Sequence, residues 1–340
     1  MLIDSFGRKL DYLRISVTDR CNLRCVYCMP ADGVESKNHD SMLRFEEVLR
    51  LSRIMVELGI RKVRVTGGEP LVRRGIPAFL QSLKTLKGIE SLTLTTNGIL
   101  LAACLGEIAN VLDGVNISLD ALDPEKFAAI SRHKEAGPGE IISVIDRLLE
   151  KNINVKINCV PIRGFNEEEI IPLAALAKDR NIAVRFIELM PLGSAAALEL
   201  VPGGEVASLL EKAYGAAAAS NTVQGNGPAL YYSFPGFAGK IGFINPLSHG
   251  FCDSCNRLRL TSDGILKLCL ARDEVLDLKG LLRDGISDME ISAAIKKAAA
   301  AKPRYHDFLA THGDDKGAAG RSPAEEGGGP HSTGMFKIGG

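Results

Sequence analysis

Six of the eight cysteines in this 340-residue chain form two triads, Cys21-x3-Cys25-x2-Cys28 and Cys252-x2-Cys255-x13-Cys269. Cys104 and Cys159 stand alone. Random placement yields a triad like the first in roughly 0.3% of chains with this composition, so the spacing calls for a chemical reason. Disulfides are not the expected one. The start, MLIDSFGRKLDYLR, lacks the apolar stretch of a signal peptide, which leads to the expectation of a cytoplasmic protein with reduced thiols. No run of eighteen apolar residues is present, so no membrane span is expected. Hydrophobic residues are 46% and charged residues 24%, which excludes a mostly disordered chain. Lys+Arg and Asp+Glu are 41 each. A neutral chain has no global attraction for nucleic acid or anionic membrane, so any anion site must be a local cluster of cations.

Six short β-branched runs recur at Leu13–Thr18, Lys62–Thr66, Ser91–Thr96, Val115–Leu119, Asn154–Val160 and Val184–Leu189. Helix-length segments fall between and after them, at Phe45–Leu58, Ile76–Leu86, Ala102–Leu112, Gly139–Lys151 and Glu167–Arg180. Strand alternating with helix predicts parallel pairing with right-handed crossovers, in an open sheet or a partial (β/α)6 barrel. Polar and turn-forming residues follow most runs, as on the reactive rim of a barrel. In the fifth run Lys156 and Asn158 alternate with apolar neighbours, and in the second Lys62, Arg64 and Thr66 share a face. A parallel strand buried on both sides would be apolar on both, so these polar faces predict a shared lumen. The expected fold class is therefore an α/β, TIM-like partial barrel. Its parts are 1–192 (barrel), 193–310 (a C-terminal region that carries the second triad and closes the barrel) and 311–340. The last segment has seven Gly between Thr311 and Gly334 and no large apolar side chain there, which predicts a flexible tail. It ends in Met335-Phe336-Lys337-Ile338-Gly339-Gly340, more like a docking element than a linker. Helices are also expected at Asp277–Leu282 and Asp288–Ala301.

Three thiolates on one short loop can hold three irons of a [4Fe–4S] cube and leave the fourth iron exchangeable, whereas electron-transfer clusters use four Cys. A structural zinc loop short of one ligand, or cysteines that merely pack, are the plain alternatives. The loop, with Tyr27 before its last Cys, resembles that of the radical S-adenosylmethionine enzymes. Gly67-Gly68-Glu69-Pro70 after the second strand is similar to the family's GGEP segment. The resemblance implies that the open iron takes the amino and carboxylate groups of S-adenosylmethionine and that the reduced cluster yields a 5′-deoxyadenosyl radical. Glycines would let backbone approach the ligand, and carbonyls and the Glu69 carboxylate could accept from its ammonium. Tyr27, Gly68, Ser118 and Met190 match the family's S-adenosylmethionine contacts.

The second triad also admits zinc, with His249 as a fourth ligand. Its surroundings, Gly242 to Cys252 and then Cys255-Asn256-Arg257-Leu258-Arg259-Leu260, resemble the branch of the family that opens molybdenum cofactor biosynthesis. Arg14 to Asn22 and Arg185 to Pro191 fit the same branch. That resemblance implies a second [4Fe–4S] cluster whose open iron holds the guanine end of GTP. It also implies hydrogen abstraction from C3′ of GTP, addition of that radical to C8, and 3′,8-cyclo-7,8-dihydro-GTP as product after reduction and protonation. Arg14, Arg64, Thr95, Lys156, Arg257, Leu258 and Arg259 match its GTP contacts, with Lys62 and Arg185 as weaker candidates; a polyanion needs such cations in a neutral protein. Gly339 and Gly340 match a tail that enters the active site with a catalytic role. A reductant protein of flavodoxin or ferredoxin type, a downstream pterin-forming enzyme and a homodimer are implied as partners, without nucleic acid or membrane. Cys104 and Cys159 read as core cysteines. A peptide-modifying radical maturase and a zinc-stabilised binding module remain the competing readings.

Overall fold

The structure, a computed structural model, describes all residues except 34–38, 221–224, 226, 273–274, 307 and 309–340. The expected tail and its Gly339-Gly340 end lie outside the described residues. Among the described residues, a mixed sheet of twelve strands organises the fold. The first six strands are β1 (Tyr12–Ser16), β2 (Lys62–Thr66), β3 (Ser91–Thr96), β4 (Gly114–Ser118), β5 (Asn154–Cys159) and β6 (Ala183–Ile187). Each pairs in parallel with the next. Between them run α1 (Phe45–Glu57), α2 (Ile76–Lys84), α3 (Leu101–Ile108), α4 (Pro124–Ser131), α5 (Pro138–Glu150) and, before β6, α6 (Ile170–Asp179). The six units match the β-branched runs of the sequence. α4 was not among the expected helices, although Asp123 caps it by accepting the Lys126 N–H at 2.9 Å and Pro124 opens it, a legible start signal.

The C-terminal region does not form a separate layer. After α7 (Gly203–Tyr214) come β7 (Ala218–Ala219), β8 (Leu230–Ser233), β9 (Lys240–Ile244), β10 (Arg257–Leu260), β11 (Ile265–Lys267) and β12 (Val275–Asp277). β9 lies parallel beside β6 and β10 lies parallel beside β1. Eight parallel strands thus run side by side, and antiparallel β8–β7 and β11–β12 extend the two edges. Two helices complete the described chain, α8 (Leu278–Arg283) and α9 (Asp288–Ala300). A reciprocal Ser287–Glu290 box caps α9. α7 lies in a stretch that composition alone marks only as rich in Ala and Gly.

Alternation along the strands sorts the two faces of the sheet. Leu13, Ile15, Val63, Val65, Leu92, Leu94, Ile157, Val184, Leu258 and Leu260 point to the helices, each at most 1% exposed. α1 answers with Val48, Leu51, Ile54 and Met55, also at most 1% exposed. They recur at the three-to-four-residue interval of one helical face. Truncating one such residue, for example Ile54→Ala, would cost about 2–5 kcal/mol. The opposite face carries Tyr12, Arg14, Arg64, Thr66, Thr95, Asn158, Arg185, Arg257 and Arg259, and these line one internal cavity. No helix among the described residues is long and apolar enough to cross a membrane.

Candidate active site

The cavity has a volume of about 270 Å³, and all six triad cysteines line it. They do so from opposite ends. Cys21, Cys25 and Cys28 follow β1, at the C-terminal ends of the parallel strands. Cys252 and Cys255 precede β10, which runs parallel to β1, so they sit at the N-terminal ends. β11 runs back antiparallel to β10, with Lys267 opposite Arg259, and delivers Cys269 to the same end. A strand the length of β1 separates the triads by roughly 13 Å of rise.

The first triad is held by backbone. Arg24 and Val26 donate their N–H groups to Ser131 and Ile130, both at 2.9 Å, which ties the loop to α4. The loop also packs directly on the GGEP segment. Gly68 N–H donates to the Thr18 carbonyl at 2.7 Å and Glu69 N–H to the Arg20 carbonyl at 2.8 Å. A Cβ at Gly67 would lie 2.6 Å from the Thr18 oxygen, and one at Gly68 2.4 Å from the Arg20 oxygen. The glycines therefore serve the approach of one loop to another, with any approach to a ligand secondary. Glu69 also departs from expectation. Its carboxylate is 0% exposed and accepts from Leu71 N–H at 3.0 Å, the Thr96 hydroxyl at 2.8 Å and Asn97 N–H at 2.7 Å. Burial holds it up at about 7 against those three donors. It ties the ends of β2 and β3 together and does not offer itself to an ammonium in the cavity.

Tyr27, Gly68, Ser118 and Met190 all line the cavity, and Met190 packs against the same small apolar cluster as Cys269 and Leu270. The Tyr27 hydroxyl is committed: it donates to Asp120 at 2.8 Å, and the other Asp120 oxygen takes the Val160 N–H at 2.8 Å. Burial raises Asp120 to about 6, against those two hydrogen bonds. Burial also pushes the Cys21 thiol up to about 11, and burial with Asp120 and the two other triad thiols lifts Cys25. Thiols so placed give up their protons only to a strong Lewis acid.

The second triad sits among cations. Burial alone would raise Cys255, but Arg257 and Lys302, with hydrogen bonds from Arg257, bring it down to about 7. Arg257 Nη2 lies 3.7 Å from its sulfur. Burial raises Cys252, opposed by a hydrogen bond from the His306 N–H.

Between the triads runs a belt of arginines. Arg259, Arg14 and Arg64 stand level on the adjacent strands β10, β1 and β2, where neighbouring strands are about 4.8 Å apart. Burial lowers Arg14, and Arg259 and Arg64 lower it further. Burial and then Arg257 bring Arg259 to about 10. Arg185, also near 10 through burial, donates to Asn116 Oδ1 at 2.6 Å. Like charges crowded in a buried lumen repel, and a bound polyanion relieves that repulsion. Arg14, Arg64, Thr95, Arg257 and Arg259 thus converge on the cavity.

Three candidates do not. Leu258 is 0% exposed in the core behind β10, so its side chain cannot touch a ligand in the lumen. Strand alternation placed it opposite Arg257 and Arg259, a signal available in the sequence. Lys62 pairs with Asp11 at 3.1 Å and is outside the lining. Lys156 stands just behind the lining, brought to about 7 by burial and then by Arg185 and Arg64. His249 is exposed and outside the lining, so it does not join the second triad. Cys159 is buried in the core and Cys104 lies half-buried on α3, both away from the cavity. Sequence reasoning missed Tyr12, Lys302 and His306, which line the cavity, and read Asn158 as facing the lumen without a role there. None has a motif around it.

The donor sets fit iron–sulfur cubes. Each triad presents three half-buried thiols toward a common space. Tyr12 hydroxyl, Thr95 Oγ1 and Asn158 Oδ1 in the lumen are buried without hydrogen-bond partners among the described residues, as groups awaiting a polar ligand would be. No three His, Cys, Asp or Glu among the described residues surround a single-ion position. A cube asks for something else, since each thiolate ligates a different iron.

Residues 15–177 match the family described as "Radical SAM superfamily" and residues 182–308 match "Molybdenum Cofactor Synthesis C". The fold is also shared with a solved structure. Streptococcus suis SuiB bound to S-adenosylmethionine superposes with a TM-score of 0.60 at 18% identity, covering 85% of this chain and 68% of that one. Among curated relatives, the GTP 3′,8-cyclase of Clostridium perfringens (strain 13 / Type A) is 42% identical over 92% of this chain and 96% of its own length. That of Pelotomaculum thermopropionicum is 45% identical over 90% and 95%. With both triads and the GGEP loop inside the matched residues 15–177 and 182–308 and relatives at 42–45% identity over most of its length, the chain belongs to the GTP 3′,8-cyclase family of radical S-adenosylmethionine proteins.

Proposed function

We propose that this chain converts GTP to (8S)-3′,8-cyclo-7,8-dihydroguanosine 5′-triphosphate, the first step of molybdenum cofactor biosynthesis. The observation that carries the reading is one lumen with a three-cysteine site at each end and an arginine belt between. Cys21, Cys25 and Cys28 would hold a [4Fe–4S] cluster that would supply one electron for cleaving the C–S bond of S-adenosylmethionine, so that hydrogen would leave C3′ of GTP; once the C3′–C8 bond has formed, a second electron from the reductant and a proton would complete the product. Cys252, Cys255 and Cys269 would hold a second cluster, with the guanine end of GTP facing it. Arg14, Arg64, Arg257 and Arg259, with Lys156 behind, supply charge for the triphosphate, and Thr95 offers a hydroxyl. Tyr27, fixed by Asp120, and Ser118, Gly68 and Met190 form the S-adenosylmethionine wall. Enclosure excludes water and holds the two reactants in one orientation, which is what radical transfer requires. A reductant of flavodoxin or ferredoxin class, a downstream pterin-forming enzyme, a catalytic Gly339-Gly340 tail and a homodimer belong to the same reading; the family resemblance supports them.

The test is anaerobic incubation of reconstituted protein with GTP, S-adenosylmethionine and dithionite. The expected result is 5′-deoxyadenosine formed in step with GTP loss and cyclic product. Formation of 5′-deoxyadenosine without GTP consumption, or none at all, contradicts the proposal.

A further inference from the structure

The segment that follows α9 wraps the second triad, and a lysine buried there has no part in the reading above. Lys302 is 2% exposed and lies against the lumen. Its ammonium donates to the Arg257 carbonyl at 3.0 Å and also to the Leu268 carbonyl. Arg257 follows Cys255 by two residues and Leu268 immediately precedes Cys269. One ammonium therefore joins the start of β10, just after Cys255, to the residue between the end of β11 and Cys269. A second cation braces the third arm. Arg8, locked to Asp4 at 2.6 Å, donates to the Cys252 carbonyl at 2.7 Å and to the Arg304 carbonyl at 2.9 Å. Burying a lysine is expensive unless acceptors and negative charge receive it. The two carbonyls provide the acceptors, and thiolates at Cys255 and Cys269 provide the charge.

We propose that Lys302 is a positioning residue for the second triad: its buried ammonium sets the spacing of Cys255 and Cys269 and holds the cluster they ligate at a raised reduction potential. The proposal rests on the second triad holding a cluster. Positive charge in a water-poor site favours the reduced, more negative cluster, because net charge and hydrogen bonding around the sulfurs set the potential. The first triad faces Asp120 and Glu69, and its neighbouring cation, Arg24, is half-buried and donates to the Cys21 and Leu23 carbonyls of its own loop, so Lys302 acts at the other end of the lumen.

Anaerobic redox titration of the full chain, followed by electron paramagnetic resonance and iron analysis, tests this with Lys302→Gln and Lys302→Arg. Gln keeps a donor and loses the charge, and Arg keeps the charge. In Lys302→Gln the reduced-to-oxidised ratio of the second cluster at a fixed potential should fall about tenfold, a shift of about 59 mV for one electron. The first cluster's titration and its response to S-adenosylmethionine should be unchanged. Lys302→Arg should stay within about twofold of wild type. An unshifted second cluster in Lys302→Gln overturns the proposal, as does equal loss of that cluster in both variants, which would mark the residue as mere packing. Wild-type protein that binds one cluster only, at the first triad, overturns the underlying two-cluster reading as well, and so separates the two failures.

Discussion

The two ends of the lumen carry the same number of thiols in opposite electrostatic settings. At the first triad burial pushes the thiols up, Asp120 and Glu69 add to it, and Arg24 offsets only part of the effect at Cys21. At the second the neighbouring charges are Arg257 and Lys302, and Cys255 comes down to about 7. Buried negative charge disfavours adding an electron to a cluster and buried positive charge favours it. The first end is thus suited to a strong reductant that must donate into a C–S bond. The second is suited to holding an anionic substrate. Ligand number alone does not distinguish the two sites, and the charge around them does.

The sharpest break in that symmetry is removal of one ligand. Cys269→Ala should lower GTP turnover at least about a thousandfold while roughly half the iron and the S-adenosylmethionine response of the first cluster remain. Iron analysis with a product assay checks both, and retained cyclisation would deny the second triad its role. Arg14→Met takes the middle cation from the belt and should weaken GTP binding about 10–100-fold, the range for a charge-assisted contact. Because Arg14 sits between Arg259 and Arg64, its loss also relieves repulsion, so the melting temperature of the ligand-free protein should not fall. Thermal melting and GTP titration together test the pairing; a large stability loss would show that the arginine serves the fold. The smallest effect concerns Lys156. At about 7 its amine is largely neutral at pH 8.5, and a triphosphate nearby raises its pKa. GTP binding at that pH should then take up a fraction of a proton, detectable by calorimetry in buffers of different ionisation enthalpy. That uptake should vanish in Lys156→Met, and uptake that persists there would assign the proton to another group.

Much of this arrangement was legible beforehand, for identifiable reasons. Six strands showed as β-branched runs because a parallel sheet covered by helices needs apolar residues on the covered face. The lumen showed in the alternation of Lys156 and Asn158 with Val155 and Ile157. The triads were plain because their ligands are close in sequence. The opposite placement of the two triads was not legible. It depends on β10 pairing in parallel with β1 across more than two hundred residues, and long-range pairing leaves no local signature. Leu258 was read as a ligand contact from resemblance when its strand parity pointed to the core. Glu69 was read as facing a ligand, yet it is spent on three protein donors. Lys302 follows α9 like any solvated helix-end lysine, and only the folded chain brings Arg257 and Leu268 to it.

The chain is proposed to hold two open cubes in one lumen, each presented to a different small molecule. Mössbauer spectroscopy of anaerobically reconstituted protein, titrated with each ligand in turn, tests it most directly. About eight irons per chain are expected in two cubane sites, with S-adenosylmethionine perturbing one and GTP only the other. A single site, or both ligands perturbing the same one, would contradict the account.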